Sequence, residues 1–305
     1  MRSGFVAIVG RPNVGKSTLL NAIVGQKIAI TTPVPQTTRH AIRGVLHRRG
    51  AGTGSPGGDE DDLQIVFVDT PGIHKPKSLL GSRLNDVARG ALSHIDCAVF
   101  LVDGADGIGR GDEFLAGLLA DVPVPKVAVL NKIDRLHGDR QLPGLARLAE
   151  LGDWEEVVPV SAATGAGVET LVELIAARMP EGPPYFPEGQ VTDQSLDQHV
   201  AEIIREKAIT AMREEVPHSI AVVVEEIEPP EEPDGVTKVY AVVYVERDSQ
   251  KGIVIGKGGQ GLRTIGTRAR EELELILGGR VYLDLRVKLM KEWQRDPKKL
   301  ERLGY

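Results

Sequence analysis

The stretch "GRPNVGKS", residues 10–17, follows the apolar run "FVAIV" and leads directly into "KSTLLNAIV". It satisfies the pattern G-x-x-x-x-G-K-[ST], a phosphate-binding loop that connects a strand to a helix. Further β-branched runs, "LQIVFVD", "DCAVFLVD", "KVAVLNKID" and "EVVPVSA", alternate with helical stretches. This alternation predicts an α/β fold with a mostly parallel sheet and helices on both faces.

In a loop of this kind, the backbone N–H groups and the helix N-terminus point at phosphate groups. Lys16 is then placed to reach the β- and γ-phosphates, and Ser17 to offer its hydroxyl to Mg²⁺. The predicted nucleotide contacts of this loop are Gly10, Arg11, Pro12, Asn13, Val14, Gly15, Lys16, Ser17 and Thr18.

Three later motifs each come at the end of a predicted strand. "DTPG" places Asp69 where a carboxylate can hold the metal's water and Gly72 where its N–H can meet the γ-phosphate. In "NKID", Asp134 can accept from the ring N–H and the exocyclic amine of guanine, donors that adenine does not present there. "SAA" can offer backbone N–H groups to the guanine carbonyl. The predicted contacts of these motifs are Asp69, Thr70, Pro71, Gly72, Asn131, Lys132, Asp134, Ser161, Ala162 and Ala163.

The Pro-rich stretch "PEGPPYFPEG" ends the helical pattern of the first half and marks a domain boundary. We predict a first domain over 1–180, a linker over 181–195 and a second domain over 196–305. Within the first domain, "GAGTGSPGGDEDD" is too rich in Gly and acid to pack, and it predicts a flexible loop over 50–62 between two neighbouring strands.

A second glycine-lysine loop, "IGKGGQG", lies in the second domain and lacks the hydroxyl residue that a Mg²⁺-nucleotide site needs. It matches the G-x-x-G turn of a KH domain, and the predicted order α-β-β-α-α-β is that of the type II form, an α+β fold. Such a turn lets an RNA backbone approach closely across about four nucleotides, beside an apolar groove that accepts the bases. A plain helix–helix turn is the alternative. The predicted RNA contacts are Ile255, Gly256, Lys257, Gly258 and Gly259.

The charge distribution agrees with a basic surface on an acidic protein. The net charge is −6, yet Lys and Arg outnumber the acids after Val236. From charge alone an ordinary solvated surface stays the alternative.

No apolar run is long enough to span a bilayer and the first residues lead straight into a strand, so we expect a cytoplasmic protein. We predict that the single cysteine, Cys97, is a buried and inert thiol.

The motifs "GRPNVGKSTLLN", "PQTTRH", "DTPG", "NKID" and "SA", with the late "YVERDSQKGIVIGKGG" and "RLGY", resemble the Era family of bacterial GTPases, in the TrmE-Era-EngA branch. The resemblance covers essentially the whole chain. It implies a P-loop GTPase domain followed by a KH domain, acting as a monomer on the 3′ end of small-subunit ribosomal RNA. It also implies a role in assembly of the small ribosomal subunit, and a peripheral contact with the inner face of the cell membrane.

For the site, the resemblance implies that Thr38 binds Mg²⁺ together with Ser17 and Asp69 when a γ-phosphate is present, with Thr37 as the alternative. Lys16, Thr38 and Gly72 are the candidate catalytic residues. Ile73 stands where Ras-like proteins place a water-orienting Gln, so unaided hydrolysis should be slow. In relatives the residue matching Asn13 helps bind K⁺, and the other interpretation of Asn13 is a loop residue that bonds its own backbone.

Two other classes of function stay open from the residues. One is an ATP-using P-loop protein, which the guanine-specific "NKID" disfavours. The other is a non-catalytic RNA-binding adaptor with a structural GTP, which Ile73 keeps open.

Overall fold

The computed structural model describes residues 1–49, 62–73, 76, 78–136, 140–212, 216–232 and 234–305. The chain forms two compact units. The first comprises Met1–Ala29, Thr38–Lys75 and Arg83–Asp193, and the second comprises Ile30–Thr37, Pro76–Ser82 and Gln194–Tyr305. The predicted domain bounds stay a prediction, because a short stretch before Thr38 groups with the second unit and most of the linker groups with the first.

The sheet of the first unit confirms the predicted α/β fold. Its strand order is β2-β3-β1-β4-β5-β6, and all neighbouring strands are parallel except the antiparallel pair β2 and β3. Strands β3 and β4 are buried along their whole length, as expected for a sheet that is covered on both faces. The strands are β1 Arg2–Val9, β2 Ile42–Arg48, β3 Leu63–Asp69, β4 Cys97–Asp103, β5 Lys126–Asn131 and β6 Glu156–Pro159.

Helices cover both faces of this sheet because successive strand residues point to opposite sides. Ile8 belongs to an apolar core with Leu19 and Leu171, whereas the preceding residue Ala7 belongs to a second core with Leu115. The helices are α1 Lys16–Val24, α2 Leu79–Gly90, α3 Arg110–Ala120, α4 Gln141–Ala149 and α5 Val168–Ala176.

Cys97 is fully buried in the first of these cores. The burial confirms that part of the prediction, and it raises the pKa of the thiol to about 12. That Cys97 is inert stays a prediction. The stretch predicted as a flexible loop over 50–62 lies outside the described residues except for Asp62, and the strands on either side of it are neighbours, as predicted.

The Pro-rich linker is fixed along the first unit as far as Asp193. The buried side chain of Gln64 donates from Nε2 to the Phe186 carbonyl at 2.8 Å and accepts from the Tyr185 N–H at 2.6 Å. The Val45 N–H donates to the Val191 carbonyl at 2.9 Å. The Val45–Val191 bond lies on the edge strand β2, next to a bridge between Gly44 and Thr192, so the linker is bound to the first unit over these residues.

The second unit has the predicted element order α-β-β-α-α-β. In its sheet β7 and β8 are antiparallel, and β8 and β9 are parallel. The elements are α6 Leu196–Ala211, β7 Ala221–Glu228, β8 Val236–Val245, α7 Asp248–Ile255, α8 Gln260–Leu277 and β9 Arg280–Leu289, followed by a short helix α9 Pro297–Arg302. One face of the sheet packs against α6 and α8 in a core of its own, which also includes Ile30.

Candidate functional site

The glycine-lysine loop after β1 has a shape that only glycine permits at two positions. Gly15, just before α1, has φ 106°, and a Cβ there would lie 2.3 Å from Asn131 Nδ2. A Cβ on Gly10 would lie 2.4 Å from the Leu101 carbonyl oxygen. No side chain caps the N-terminus of α1, so its first N–H groups are available to an anion.

Lys16 is buried and extends back over the loop. Its Nζ donates to the Gly10 carbonyl at 3.1 Å and to the Arg11 carbonyl at 3.0 Å. Burial lowers the pKa of Lys16 and the nearby charge of Asp69 opposes that effect. The ammonium is therefore held over the loop, where it can turn to bound phosphates.

The three residues predicted to hold Mg²⁺ lie together. Ser17 Oγ donates to Asp69 Oδ2 at 2.6 Å and lies 2.9 Å from Thr38 Oγ1, which is itself 3.3 Å from Asp69 Oδ2. Asp69 Oδ1 is buried and has no hydrogen-bond partner among the described residues. Burial raises the pKa of Asp69. The charge of Lys16 and the hydrogen bonds from the Ser17 and Thr38 hydroxyls act in the opposite direction but do not cancel this effect. Two hydroxyls and a carboxylate with an unused buried oxygen fit a hard divalent cation such as Mg²⁺.

The geometry distinguishes between the two neighbouring threonines. Thr37 Oγ1 donates to the Val34 carbonyl at 2.7 Å and lies 2.5 Å from Thr32 Oγ1. Its hydroxyl is therefore engaged within its own loop, while the hydroxyl of Thr38 lies with Ser17 and Asp69. This favours Thr38 as the metal-binding threonine.

"NKID" forms a bridge between the two loops that are predicted to surround a base. Asn131 Nδ2 donates to the Val14 carbonyl at 2.8 Å, and its Oδ1 accepts from the Ala162 N–H at 3.0 Å. Lys132 Nζ donates to the Asn13 carbonyl at 2.7 Å. Thus one motif connects the phosphate loop to the "SAA" loop.

Asp134 is exposed, and its Oδ1 accepts from Ser161 Oγ at 2.6 Å. The carboxylate is therefore oriented by the "SAA" loop and reachable by a base. Within that loop the Ser161 N–H donates to the Ala166 carbonyl, and the Ala162 N–H is engaged by Asn131. Ala163 is exposed, and its N–H has no acceptor in the described part of the chain, which makes it the candidate donor to a base carbonyl.

"DTPG" packs against the phosphate loop. The Thr70 hydroxyl donates to the Ile8 carbonyl at 3.0 Å, and a Cβ on Gly72 would lie 2.7 Å from the Pro12 nitrogen. Ile73 is 6% exposed and belongs to the core that contains Val9. Its side chain therefore faces the protein interior.

Arg11 has a role that the sequence did not indicate. Its Nε donates to the buried carboxylate of Asp112 at 2.8 Å, and its Nη2 donates to the Gly107 carbonyl at 3.2 Å. The side chain of Arg11 is thus bound at the start of α3. This leaves the backbone of Arg11 as the part of the residue that can contact a phosphate. An ion pair between residues so far apart in the chain has no local sequence signal.

The second loop forms the turn between α7 and α8. Gly256, Gly258 and Gly259 all have positive φ, at 71°, 60° and 78°. A Cβ on Gly256 would lie 2.8 Å from the Gly261 nitrogen, whereas a Cβ on Gly258 would meet nothing within 4 Å. Lys257 and Gly258 are exposed, while Ile255 is half-buried. The turn therefore presents a bare, open backbone at Gly258.

A groove of about 790 Å³ runs beside this turn, between α8 and β9. We predicted an apolar groove beside the turn, and leucines do line this one. Arg263, Arg270 and the half-exposed Tyr282 also line it, and the sequence patterns did not point to these three. The seven-residue spacing of the two arginines, which places them on one face of α8, is the signal that would have found them. The lining residues are Gly259, Leu262, Arg263, Gly266, Thr267, Arg270, Val281, Tyr282, Leu283, Asp284 and Leu285.

Family models match both units: "50S ribosome-binding GTPase" matches residues 5–132 and "KH domain" matches residues 215–294. GTPase Era of Mycobacterium avium (strain 104) is 50% identical over 308 residues, which cover 100% of this chain and 99% of the relative. GTPase Era of Mycobacterium tuberculosis (strain ATCC 25177 / H37Ra) is 48% identical over 307 residues, which cover 99% of this chain and 98% of the relative.

Two crystal structures are similar over the whole chain. One is an Aquifex aeolicus Era variant bound to GDP·AlF4⁻, with 41% identity and a TM-score of 0.92. The other is Era in complex with MgGDPNP and nucleotides 1506–1542 of 16S ribosomal RNA, with 41% identity and a TM-score of 0.91. Each match covers 100% of this chain and 99% of the other. With this identity over its full length, the chain belongs to the GTPase Era family.

Proposed function

We propose that this protein is a GTP-hydrolysing switch that binds the 3′ end of small-subunit ribosomal RNA and acts in assembly of the small ribosomal subunit. The observation that carries the proposal is the convergence of Ser17, Thr38 and Asp69 beside the phosphate loop. Relatives with matching motifs are named GTPase Era, and one was crystallised with MgGDPNP and the end of 16S ribosomal RNA.

In the nucleotide site, the backbone of residues 10–18 surrounds the phosphates, and Lys16 turns from the loop carbonyls to the β- and γ-phosphates. Ser17, Thr38 and Asp69 hold Mg²⁺, which neutralises charge on the phosphate oxygens when bound. Asp134 and the Ala163 N–H select guanine over adenine, because an adenine ring would leave the carboxylate without donors.

Hydrolysis depends on the Gly72 N–H, which binds the γ-phosphate, and on a water molecule that attacks the same γ-phosphate. The buried Ile73 cannot orient that water, so turnover by the protein alone is slow. A bound partner that helps to orient the water would accelerate turnover, as expected of a switch.

Asn13 is the candidate ligand for K⁺. It is exposed on the phosphate loop with φ 64°, and an amide oxygen is a suitable ligand for a hard cation. K⁺ would supply positive charge to the phosphate in the transition state. We expect hydrolysis to be on the order of tenfold faster in K⁺ than in Na⁺ at equal ionic strength, and Asn13→Ala to remove the difference. Equal wild-type rates in the two salts would exclude the K⁺ site.

In the RNA site, the open turn around Gly258 accepts the RNA backbone and the adjacent groove accepts bases. Arg263 and Arg270 add positive charge, and Tyr282 offers an aromatic face for stacking.

We place this activity in the cytoplasm, where the small subunit is assembled, and expect a monomer. Among the described residues, no helix combines the length and apolar character needed to cross a membrane. Peripheral contact with the inner face of the cell membrane stays a prediction.

The proposal is tested by measuring turnover of GTP and ATP with and without an RNA matching the 16S 3′ end. We expect GTP to be hydrolysed slowly and the RNA to raise the rate, with no turnover of ATP. Turnover of ATP at the same rate would indicate the other P-loop class. GTP binding without turnover in any condition would instead indicate an RNA-binding adaptor.

A further inference from the structure

Helix α6 holds the stretch Ile30–Thr37 through two buried, charged side chains. Arg205 Nη2 donates to the Thr37 carbonyl, and Glu206 Oε1 accepts from the Thr31 N–H at 3.0 Å. Arg205 is 1% exposed and Glu206 is 4% exposed. Ile30 also belongs to the apolar core of the second unit. The stretch is therefore fixed to that unit at both of its ends.

Arg205 is paired mainly with Glu202. Its Nε donates to Glu202 Oε1 at 2.8 Å, and its Nη2 donates to Oε2 at 2.6 Å. Burial by itself would lower the pKa of Arg205, but the charge and hydrogen bonds of Glu202 more than offset this effect and raise the pKa. Nη1 is buried without a partner among the described residues. Apolar residues often replace a buried ion pair with no loss of stability, so stability alone does not account for Arg205.

The residue after Thr37 is the metal-binding candidate Thr38, which contacts Ser17 and Asp69. The peptide group between the two threonines is planar, so a donor that fixes the Thr37 carbonyl also fixes the nitrogen and Cα of Thr38. One contact within the second unit thereby restricts where the backbone of Thr38 can lie, and with it the positions that the Thr38 hydroxyl can reach.

We infer that Arg205 is a positioning residue for GTP hydrolysis, which orients Thr38 toward the Mg²⁺-nucleotide by holding the Thr37 carbonyl. This inference rests on the proposed function. It makes α6, a helix of the RNA-binding unit, part of the machinery that distinguishes GTP from GDP.

The test uses three variants of the full chain. Arg205→Met removes the donor to Thr37. Because it also removes the cation that the Glu202 carboxylate faces, the double variant Glu202→Gln with Arg205→Met removes the donor and that carboxylate charge together. The control is Arg178→Met, since Arg178 likewise joins a carboxylate, Glu155, to a backbone carbonyl, that of Leu174, and lies apart from the nucleotide site.

Affinities for GDP and for a non-hydrolysable GTP analogue are measured across a Mg²⁺ titration, together with kcat. Loss of one charge-assisted hydrogen bond should lower analogue affinity in Mg²⁺ and kcat by about tenfold in both Arg205 variants. GDP affinity should be unchanged, because Thr38 binds the metal only when a γ-phosphate is present. The control should match the wild type.

Wild-type Mg²⁺ dependence and kcat in the double variant would overturn the positioning role. An equal loss of GDP and analogue affinity in the double variant would also overturn it, since that result indicates a general structural role. Absence of GTP turnover in the wild type would refute the proposed function instead, so the two failures are distinguishable.

Discussion

At the scale of single residues, the proposed base site uses two side chains with separate tasks. Asn131 is fully engaged, with its amide donating to Val14 and its oxygen accepting from Ala162, so it holds the loops in place. Asp134 is exposed and anchored through one oxygen by Ser161. We therefore propose that Asp134 provides the selectivity for guanine, while Asn131 maintains the shape of the site.

We expect Asp134→Asn to lower GTP affinity by about 100-fold or more, because guanine's two donors lose a charged acceptor. The asparagine oxygen can still accept from Ser161, so the loop should keep its shape. Preference should shift to xanthine nucleotides, whose ring carbonyl suits an amide. Competition binding with GTP and XTP measures this.

The matched control for that prediction is Asp121→Asn, since Asp121 is also an exposed aspartate and lies at the end of α3. It changes the net charge by the same amount and should leave both affinities unchanged. Unaltered GTP affinity in Asp134→Asn would remove this residue from the base site.

At the scale of elements, the sequence predicted those structural features that neighbouring residues in the chain determine. The strand ends, the glycine loops and the order α-β-β-α-α-β each have a local pattern, and the structure confirms them. The sequence could not predict the contact of Arg205 with Thr37 or of Arg11 with Asp112, because an arginine normally indicates a solvated position, whether on a helix or in a loop. Partners so distant in the chain are decided by tertiary packing.

The turn between α7 and α8 allows a sharp test of the RNA site. Gly258→Asp places a side chain and a negative charge into the open space at the turn, and aspartate tolerates a left-handed backbone better than most residues. We expect affinity for a 16S 3′-end oligonucleotide to fall at least about tenfold, or about 1.4 kcal/mol, while GTP affinity is retained. Lys257→Ala should lower the slope of affinity against salt by about one unit at most.

The control for the turn is Gly278→Asp at the end of α8. Gly278 has φ 68°, and a Cβ there would also meet nothing within 4 Å. The variant therefore places an aspartate in a similar left-handed backbone and adds the same charge, but outside the turn between α7 and α8. It should bind RNA like the wild type. If Gly258→Asp folds and binds the oligonucleotide as tightly as Gly278→Asp, the turn only joins two helices.

At the scale of the whole molecule, each unit contains a natural reporter of its own unfolding. Cys97 is buried in the core of the first unit, and its raised pKa of about 12 leaves almost no thiolate at pH 8. Trp293 is fully buried in the second unit, where its Nε1 donates to the Ser219 carbonyl at 3.1 Å. Thiol labelling and tryptophan fluorescence, the latter in a Trp154→Phe background, therefore follow the two units separately.

We expect Cys97 to react with a thiol reagent at pH 8 only when the first unit opens. GDP at 100 times its Kd should stabilise that unit by about 2.7 kcal/mol and slow labelling about 100-fold. The denaturation midpoint reported by Trp293 should not shift, because GDP lacks the γ-phosphate that we propose Thr38 requires for binding Mg²⁺. The non-hydrolysable GTP analogue with Mg²⁺ should shift both signals, since Thr38 is joined to Thr37 and Thr37 is held by Arg205. Equal protection of both reporters by GDP would instead show that the two units unfold as one.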